Sequence, residues 1–244
     1  PLKSEKILYD MIAMAESGNE NAAPDVVSFN AVIKAWGRTK KANSADRCEY
    51  WLRKMVDKNR SENRHQGEKN FIPKPNVQTY NLVMDAHFHL YDAFRVQDLL
   101  LEMDGTDGLV APNNESFSKV IRAWLNDESD EPQYESHGLS VENAWRWLDE
   151  LLRREKRGDV DLGPAPDLFS SVLKTAARTN ARGENLLIVG NSTFRAMKAS
   201  RFPPDSSLPY TWLLEIALKV LSSPTNDKRR EEFITGLFDQ CVED

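Results

Sequence analysis

The stretch PDVVSFNAVIKAW, Pro24 to Trp36, decides how the rest of the chain is read. An extended start leads into a helix whose apolar face is Phe29, Val32, Ile33 and Trp36, yet Phe29 is followed by Asn30, a poor helix former. The stretch recurs. PNVQTYNLVMDAH opens at Pro75, PNNESFSKVIRAW at Pro112 and PAPDLFSSVLKTA at Pro164, all without gaps, and PDSSLPYTWLLEIA opens at Pro204 with one inserted residue. In each copy an aromatic (Phe29, Tyr80, Phe117, Phe169, Tyr210) precedes a small polar residue: Asn30, Asn81, Ser118, Ser170 and Thr211. Self-similarity of this kind identifies a repeat architecture better than local propensity does.

A second pattern lies between the copies. Small or apolar residues step by three, three, one and three, a helical stripe ending in Met or Leu. It reads Ala45, Cys48, Trp51, Leu52, Met55; then Ala93, Val96, Leu99, Leu100, Met103; then Val141, Ala144, Trp147, Leu148, Leu151. Looser versions are Ser4, Ile7, Leu8, Met11 and Leu187, Gly190, Thr193, Phe194, Met197. The unit is therefore two antiparallel helices. The Asn30-equivalent positions lie about 51, 37, 52 and 41 residues apart, a unit near 35 interrupted by insertions such as DKNRSENRHQGEKN from Asp57 and NDESDEPQYESHG from Asn126. The Pro-Asp and Pro-Asn pairs end one unit and start the next, because proline cannot continue a helix and Asp or Asn can cap one. A helix pair of this size cannot bury its apolar face alone, so the pairs are expected to stack. The predicted fold is all-α, a right-handed α-solenoid of stacked antiparallel helix pairs. Its boundaries are a partial repeat at 1–25, repeats at about 26–76, 77–113, 114–165 and 166–205, and a partial repeat at 206–244.

At 244 residues and 40% hydrophobic content the chain can bury a core. The 32 Lys plus Arg against 38 Asp plus Glu give a formal charge of −6, so bulk positive charge does not attract nucleic acid here and any such binding relies on local charge. Cys48 and Cys241 lie far apart with no partner at metal-ligand spacing, which points to neither a disulfide framework nor a zinc site. No apolar run approaches the roughly 20 residues needed to span a bilayer, and no signal peptide is visible. The start at Pro1, without methionine, is what a piece of a longer chain would show.

Local charge follows from stepping by four behind the aromatic, which stays on one helical stripe. The stripes are Asn30, Lys34, Arg38; Asn81, Asp85, His89; Ser118, Arg122, Asn126; Ser170, Lys174, Arg178; and Thr211, Glu215, Lys219. Six are Lys or Arg and two are acids, against the trend of the whole chain, so stacking would join them into a moderately positive groove suited to a polyanion. A solvated polar face is the ordinary alternative. The amide or hydroxyl heading all five stripes argues for hydrogen bonding to something outside the helix.

Other chemistry is not indicated. His87 and His89 sit two apart on a helix and point to different faces, and His65 and His137 fall in insertions with no nucleophile or base at a predictable distance. DESDE reads as a solvated loop, and there is no Gly-rich phosphate loop and no Ser, His, Asp order. No catalytic residue, metal site, cofactor, membrane association or small-molecule substrate is expected. Trp36, Trp124, Trp147 and Trp212 at apolar phases read as core, whereas Trp145 leaves its stripe.

These repeats resemble those of the pentatricopeptide repeat family over nearly the whole chain. The marks are the phase-locked PDVVSFNAVIKAW and PNVQTYNLVMDAH segments, the unit near 35 residues and the Ala-rich second helix ending in Met. The Trp, Leu-Gly, Tyr pattern of tetratricopeptide repeats is absent from the first helices. The resemblance implies single-stranded RNA binding, one base per repeat, read by two side chains. Carried over, the base-reading pairs are Asn30 with Asn76, Asn81 with Asn113, Ser118 with Ala165 and Ser170 with Asp205, with Thr211 heading the last stripe. Val27, Gln78, Glu115 and Asp167 take the positions that sandwich the base, the last two departing from the usual apolar type. Lys34, Arg38, His89, Arg122, Lys174 and Arg178 would face the groove and the phosphates. By the family's code the Asn-Asn pairs favour pyrimidine, cytosine first, and Ser with Asp favours guanine, while Ser with Ala is no recognised pair. A mitochondrial or plastid role in RNA processing, stability or translation is implied by the resemblance alone. The rival expectation is a protein-interaction scaffold that has lost the nucleic-acid role, to which the acidic total charge and irregular repeats are suited.

Overall fold

The computed structural model describes residues 1–59, 70–105, 110–126, 137–159, 163–179, 184–201, 203–204 and 206–221, together with 232, 235 and 236. Most of both insertions, His65 and Asp205 lie outside the described residues. Among the described residues there are helices and no strands. In chain order they are α1 (Leu2–Glu16), a 3-10 turn (Glu20–Ala22), α2 (Val26–Gly37), α3 (Ala42–Asn59), α4 (Val77–Phe88), α5 (Ala93–Gly105), α6 (Asn114–Leu125), α7 (His137–Arg157), α8 (Pro166–Arg178), α9 (Glu184–Lys198) and α10 (Leu208–Leu221). This is the all-α solenoid arrangement of stacked helix pairs. None of the described helices is long and apolar enough to cross a membrane.

Helix starts are written locally. The Asp25 carboxylate accepts the Ser28 N–H at 2.8 Å, Asn76 closes a reciprocal capping box with Thr79, and Asn113 accepts the Ser116 N–H at 3.0 Å. Each such cap contributes about 1 kcal/mol. At α8 the cap position is Ala165 with no side-chain bond, and Pro166 follows at the first helical position, where its fixed φ suits the helix and its missing N–H is not needed. Helix α1 ends at Ser17, after which Gly18 takes φ +107° so that Gly18 N–H and Asn19 N–H return to the carbonyls of Ala15 and Met14.

The chain divides into two compact units, Pro1–Ala123 and Trp124–Asp244. In the first, α2 packs against its hairpin partner α3 and also against α4, the first helix of the next pair; α3 touches α4, and α4 pairs with α5. The core is the expected stripe material: Phe29, Val32, Ile33, Ala45, Cys48, Trp51, Leu52 and Met55 are all buried, as are Tyr80, Val96, Leu99 and Met103. Burying side chains of this size contributes about 1.5–3 kcal/mol each. In the second unit α8 packs against α7, α9 and α10, and α9 against α10. Gly190 permits that last approach, since a Cβ there would lie 3.0 Å from Ile216 Cδ1.

Helix α1 departs from the expected stripe. Ile7 is 60% exposed, and the buried face is Glu5, Leu8, Ile12 and Ala15. The reason is a polar contact that periodicity does not register. Trp51 donates its indole N–H to Glu5 Oε1 at 2.7 Å and Arg47 Nε reaches the same oxygen at 2.5 Å, which turns Glu5 inward. Of the tryptophans, Trp51 and Trp124 are buried, while Trp36, Trp145, Trp147 and Trp212 are half-buried.

Successive second helices are tied by ion pairs. Arg95 of α5 grips Glu49 of α3 with two nitrogens, Nη2 to Oε2 at 2.9 Å, and Arg53 of α3 holds Glu102 of α5 in the same forked way, Nη2 to Oε2 at 2.6 Å. Such two-point pairs fix orientation as well as distance. His87 of α4 adds a third group, its Nε2 lying 3.1 Å from Glu49 Oε1. Burial alone would raise the Glu49 carboxyl, but the neighbouring His87 and the hydrogen-bonded Arg95 outweigh it and bring it down to about 2.

Candidate nucleic-acid interface

The first helix of each pair carries the candidate residues, and its cap sets where they begin. In α2 and α4 the expected reading pairs are brought together. Asn30 Nδ2 lies 3.4 Å from Asn76 Oδ1, and Asn81 Nδ2 lies 3.5 Å from Asn113 Oδ1. The pairs are not equally open: Asn76 and Asn113 are exposed, whereas Asn30 is 6% and Asn81 3% exposed.

A third residue completes each cluster. Thr79 Oγ1 donates to Asn30 Oδ1 at 2.8 Å, and Ser116 Oγ donates to Asn81 Oδ1 at 2.8 Å. Both hydroxyl residues are fully buried and stand at the third position of their helices. The sequence reading passed over them, although a signal was present. A hydroxyl residue directly precedes the aromatic in the first three copies, as Ser28, Thr79 and Ser116, and is replaced by Leu168 and Pro209 in the last two. Asn30 and Asn81 thus do two things that periodicity could not separate: they stand at the head of the polar stripe, and they clip one repeat to the helix start of the next.

The remaining positions differ in kind. Ser118 turns its hydroxyl to the carbonyl of Asn114 at 2.7 Å, and Thr211 does the same to Ser207 at 3.1 Å, the usual fate of a hydroxyl inside a helix. Ala165 is exposed and carries no polar group. Ser170 lines a pocket of about 410 Å³ in the second unit with Asp167, Arg201, Ser206 and Trp212. Val27, Gln78, Glu115 and Asp167 are all exposed at the second position of their helices.

Among the basic residues, Lys34, Arg38, His89, Arg122, Lys174 and Arg178 are exposed. Asp85, the acid of the second stripe, is met by Lys119 Nζ from the following helix, and Lys119 also lies 3.2 Å from Glu115. The acid is therefore compensated across the repeat junction. Lys219 leaves the stripe: it is half-buried and donates to the carbonyls of Ala177 and Thr179 at the end of α8, where a cation meets the negative end of the helix dipole. His87 and His89 do face opposite ways, one buried and one exposed. No group of three or more metal-binding side chains occurs among the described residues.

No family model matches the chain, and no curated protein matches it. Among solved structures, the pentatricopeptide repeat protein PPR10 from maize is similar in fold, with a TM-score of 0.53 and 16% identity over 95% of this chain. The match takes in 29% of that protein's length. At this identity the likeness is one of architecture, and it agrees with the repeat read from Pro24 onward: the chain is an all-α solenoid similar in fold to that maize protein.

Proposed function

We propose that the chain is a non-catalytic binder of single-stranded RNA that lays one base against each repeat along its first helices. The observation that carries this reading is the recurrence of one polar cluster, Asn30 with Asn76 and Asn81 with Asn113, at the same phase of successive helices, with exposed Lys34 and Arg38 one and two turns beyond Asn30 and exposed His89 two turns beyond Asn81. A solvated face has no need of a repeated amide pair, whereas unstacked bases are read by such groups on their hydrogen-bonding edges. By the code of the resembling family the two pairs favour adjacent pyrimidines, cytosine first. The position headed by Ser118 is neutral, and Ser170 with Asp205 takes guanine. Lys34, Arg38, His89, Arg122, Lys174 and Arg178 supply phosphate contacts. Service to organelle RNA, in a mitochondrion or plastid, completes the proposal and rests on the family resemblance.

Selection from a randomised single-stranded RNA pool at two salt concentrations, with Asn30→Ala and Asn81→Ala alongside, tests the reading. Adjacent pyrimidines should be enriched, and each substitution should relax the matching position. Retention of no RNA by the unaltered chain at low salt would end it. The rival, a protein-interaction scaffold, is favoured by one feature: α1 leaves Leu2, Ile7 and Met14 exposed at 71%, 60% and 45%.

A further inference from the structure

We propose that Thr79 and Ser116 are positioning residues for base choice: their hydroxyls fix which end of each reading amide is turned outward, so that the Asn30–Asn76 and Asn81–Asn113 pairs offer chiefly N–H donors. This rests on the RNA-reading proposal and adds to it the device that sets the polarity of the pairs.

The argument starts from a group that has no choice. The Thr79 backbone N–H can only donate, and it lies 2.9 Å from the Asn76 side chain, so the Asn76 atom facing it is Oδ1. Asn30 also approaches that oxygen, at 3.4 Å, and must therefore present Nδ2 to it, since two carbonyl oxygens would repel. The Asn30 Oδ1 is then left toward Thr79, whose hydroxyl oxygen accepts the Asn76 backbone N–H at 3.1 Å. The single Thr79 proton has two acceptors in reach, Asn30 Oδ1 at 2.8 Å and Asn76 Oδ1 at 3.0 Å; Asn76 Oδ1 already accepts the Thr79 N–H, so the proton is assigned to the nearer Asn30 Oδ1. The same chain of bonds recurs in the next repeat: Ser116 N–H to Asn113 Oδ1 at 3.0 Å, Asn113 N–H to Ser116 Oγ at 3.3 Å, and Ser116 Oγ to Asn81 Oδ1 at 2.8 Å.

The oxygens of both amides are thus engaged inside the cluster. What remains for an outside partner is mainly donor: the two protons of the exposed Asn76 Nδ2 and the second proton of Asn30 Nδ2. A donor pair suits a base edge with adjacent acceptors. Cytosine has one, in N3 and O2, whereas uracil places an N–H between its two carbonyls and would set donor against donor. Without the hydroxyl, Asn30 loses the partner that holds its oxygen inward and can turn over, and the distinction fades.

The test measures binding to RNA oligonucleotides that differ only at the base relaxed by Asn30→Ala, as cytosine or uracil, for the unaltered chain, Thr79→Val, Thr79→Ser and Ser116→Ala, with folding followed by circular dichroism. The unaltered chain and Thr79→Ser should prefer cytosine by about tenfold, within the range one well-read base supplies. Thr79→Val should fall to within about threefold while keeping its salt dependence. Ser116→Ala should do the same at the neighbouring base, and it decides the matter if Thr79→Val does not fold. An unchanged preference in the folded hydroxyl-deleted variant overturns the proposal and leaves RNA reading in place, as does an unaltered chain that binds RNA with no cytosine preference. If the unaltered chain holds no RNA at low salt, the RNA reading itself falls and this proposal with it.

Discussion

At the scale of single residues, an asparagine inside a helix costs about 0.5 kcal/mol relative to alanine, and at Asn30 and Asn81 hydrogen bonds to the next helix offset that cost. Asn81→Ala removes the nearer of two acceptors of the buried Ser116 hydroxyl, leaving Asn113 Oδ1 at 3.0 Å, and should destabilise the protein by about 0.5–1.5 kcal/mol in urea unfolding. A change below about 0.3 kcal/mol would show that the clip carries no stability. Trp51→Phe keeps most of the ring contact with Phe29 but takes the indole donor from the buried Glu5. A similar loss of about 1–2 kcal/mol is expected in the same measurement. Cys48 is buried in the α2–α3 hairpin and its thiol is pushed up to about 12 by that burial, so it stays protonated near neutral pH. In a Cys241→Ser variant, Cys48 should resist alkylation until the protein is unfolded, and rapid labelling of the native state would contradict its placement.

At the scale of helices, the ion pairs between α3 and α5 give the stack an acid-sensitive joint. Glu49 is held at about 2 against an ordinary 4.5, a depressed carboxyl. Its contribution is therefore complete above the unfolded value and is lost as the pH falls from about 4.5 through about 2. Glu49→Gln should flatten the acid side of the stability profile, by about 2 kcal/mol once the screening of a partly exposed pair is allowed for. Thermal melting between pH 2 and pH 7 measures this, and an unchanged acid slope would show that other carboxylates set it. Much of the helix layer was legible in the sequence, since caps and apolar stripes are local. Asp25, Asn76 and Asn113 begin helices from where they stand, and the Ala45 to Met55 stripe is buried throughout. The α1 face was not legible, because Glu5 is turned inward by Trp51, a residue 46 positions away.

At the scale of the whole molecule, a net charge of −6 makes RNA binding depend on a few exposed cations rather than on an overall field. Replacing Lys34 and Arg38 together by Glu should weaken RNA binding at low salt and, if each meets one phosphate, lower the slope of log affinity against log salt by about 1.4. An unaltered slope would remove these two from the contact surface. Lys219 would be the informative contrast, because its charge is committed to the end of α8 and its loss should affect stability before binding.

The sequence by itself determined the repeat, the two helices within it, their capped starts and the residues that form their core. All of these depend on periodicity and on neighbours a few positions apart. It also brought forward the asparagines at the head of the stripe as the residues needing explanation. Only the tertiary structure decided what those asparagines touch, since Thr79 lies 49 residues from Asn30 and Ser116 lies 35 from Asn81. The same holds for Glu49, His87 and Arg95, which meet because three separate helices come together. The direction of a hydrogen bond depends on which donor faces which acceptor, and that is fixed only when one repeat is laid against the next.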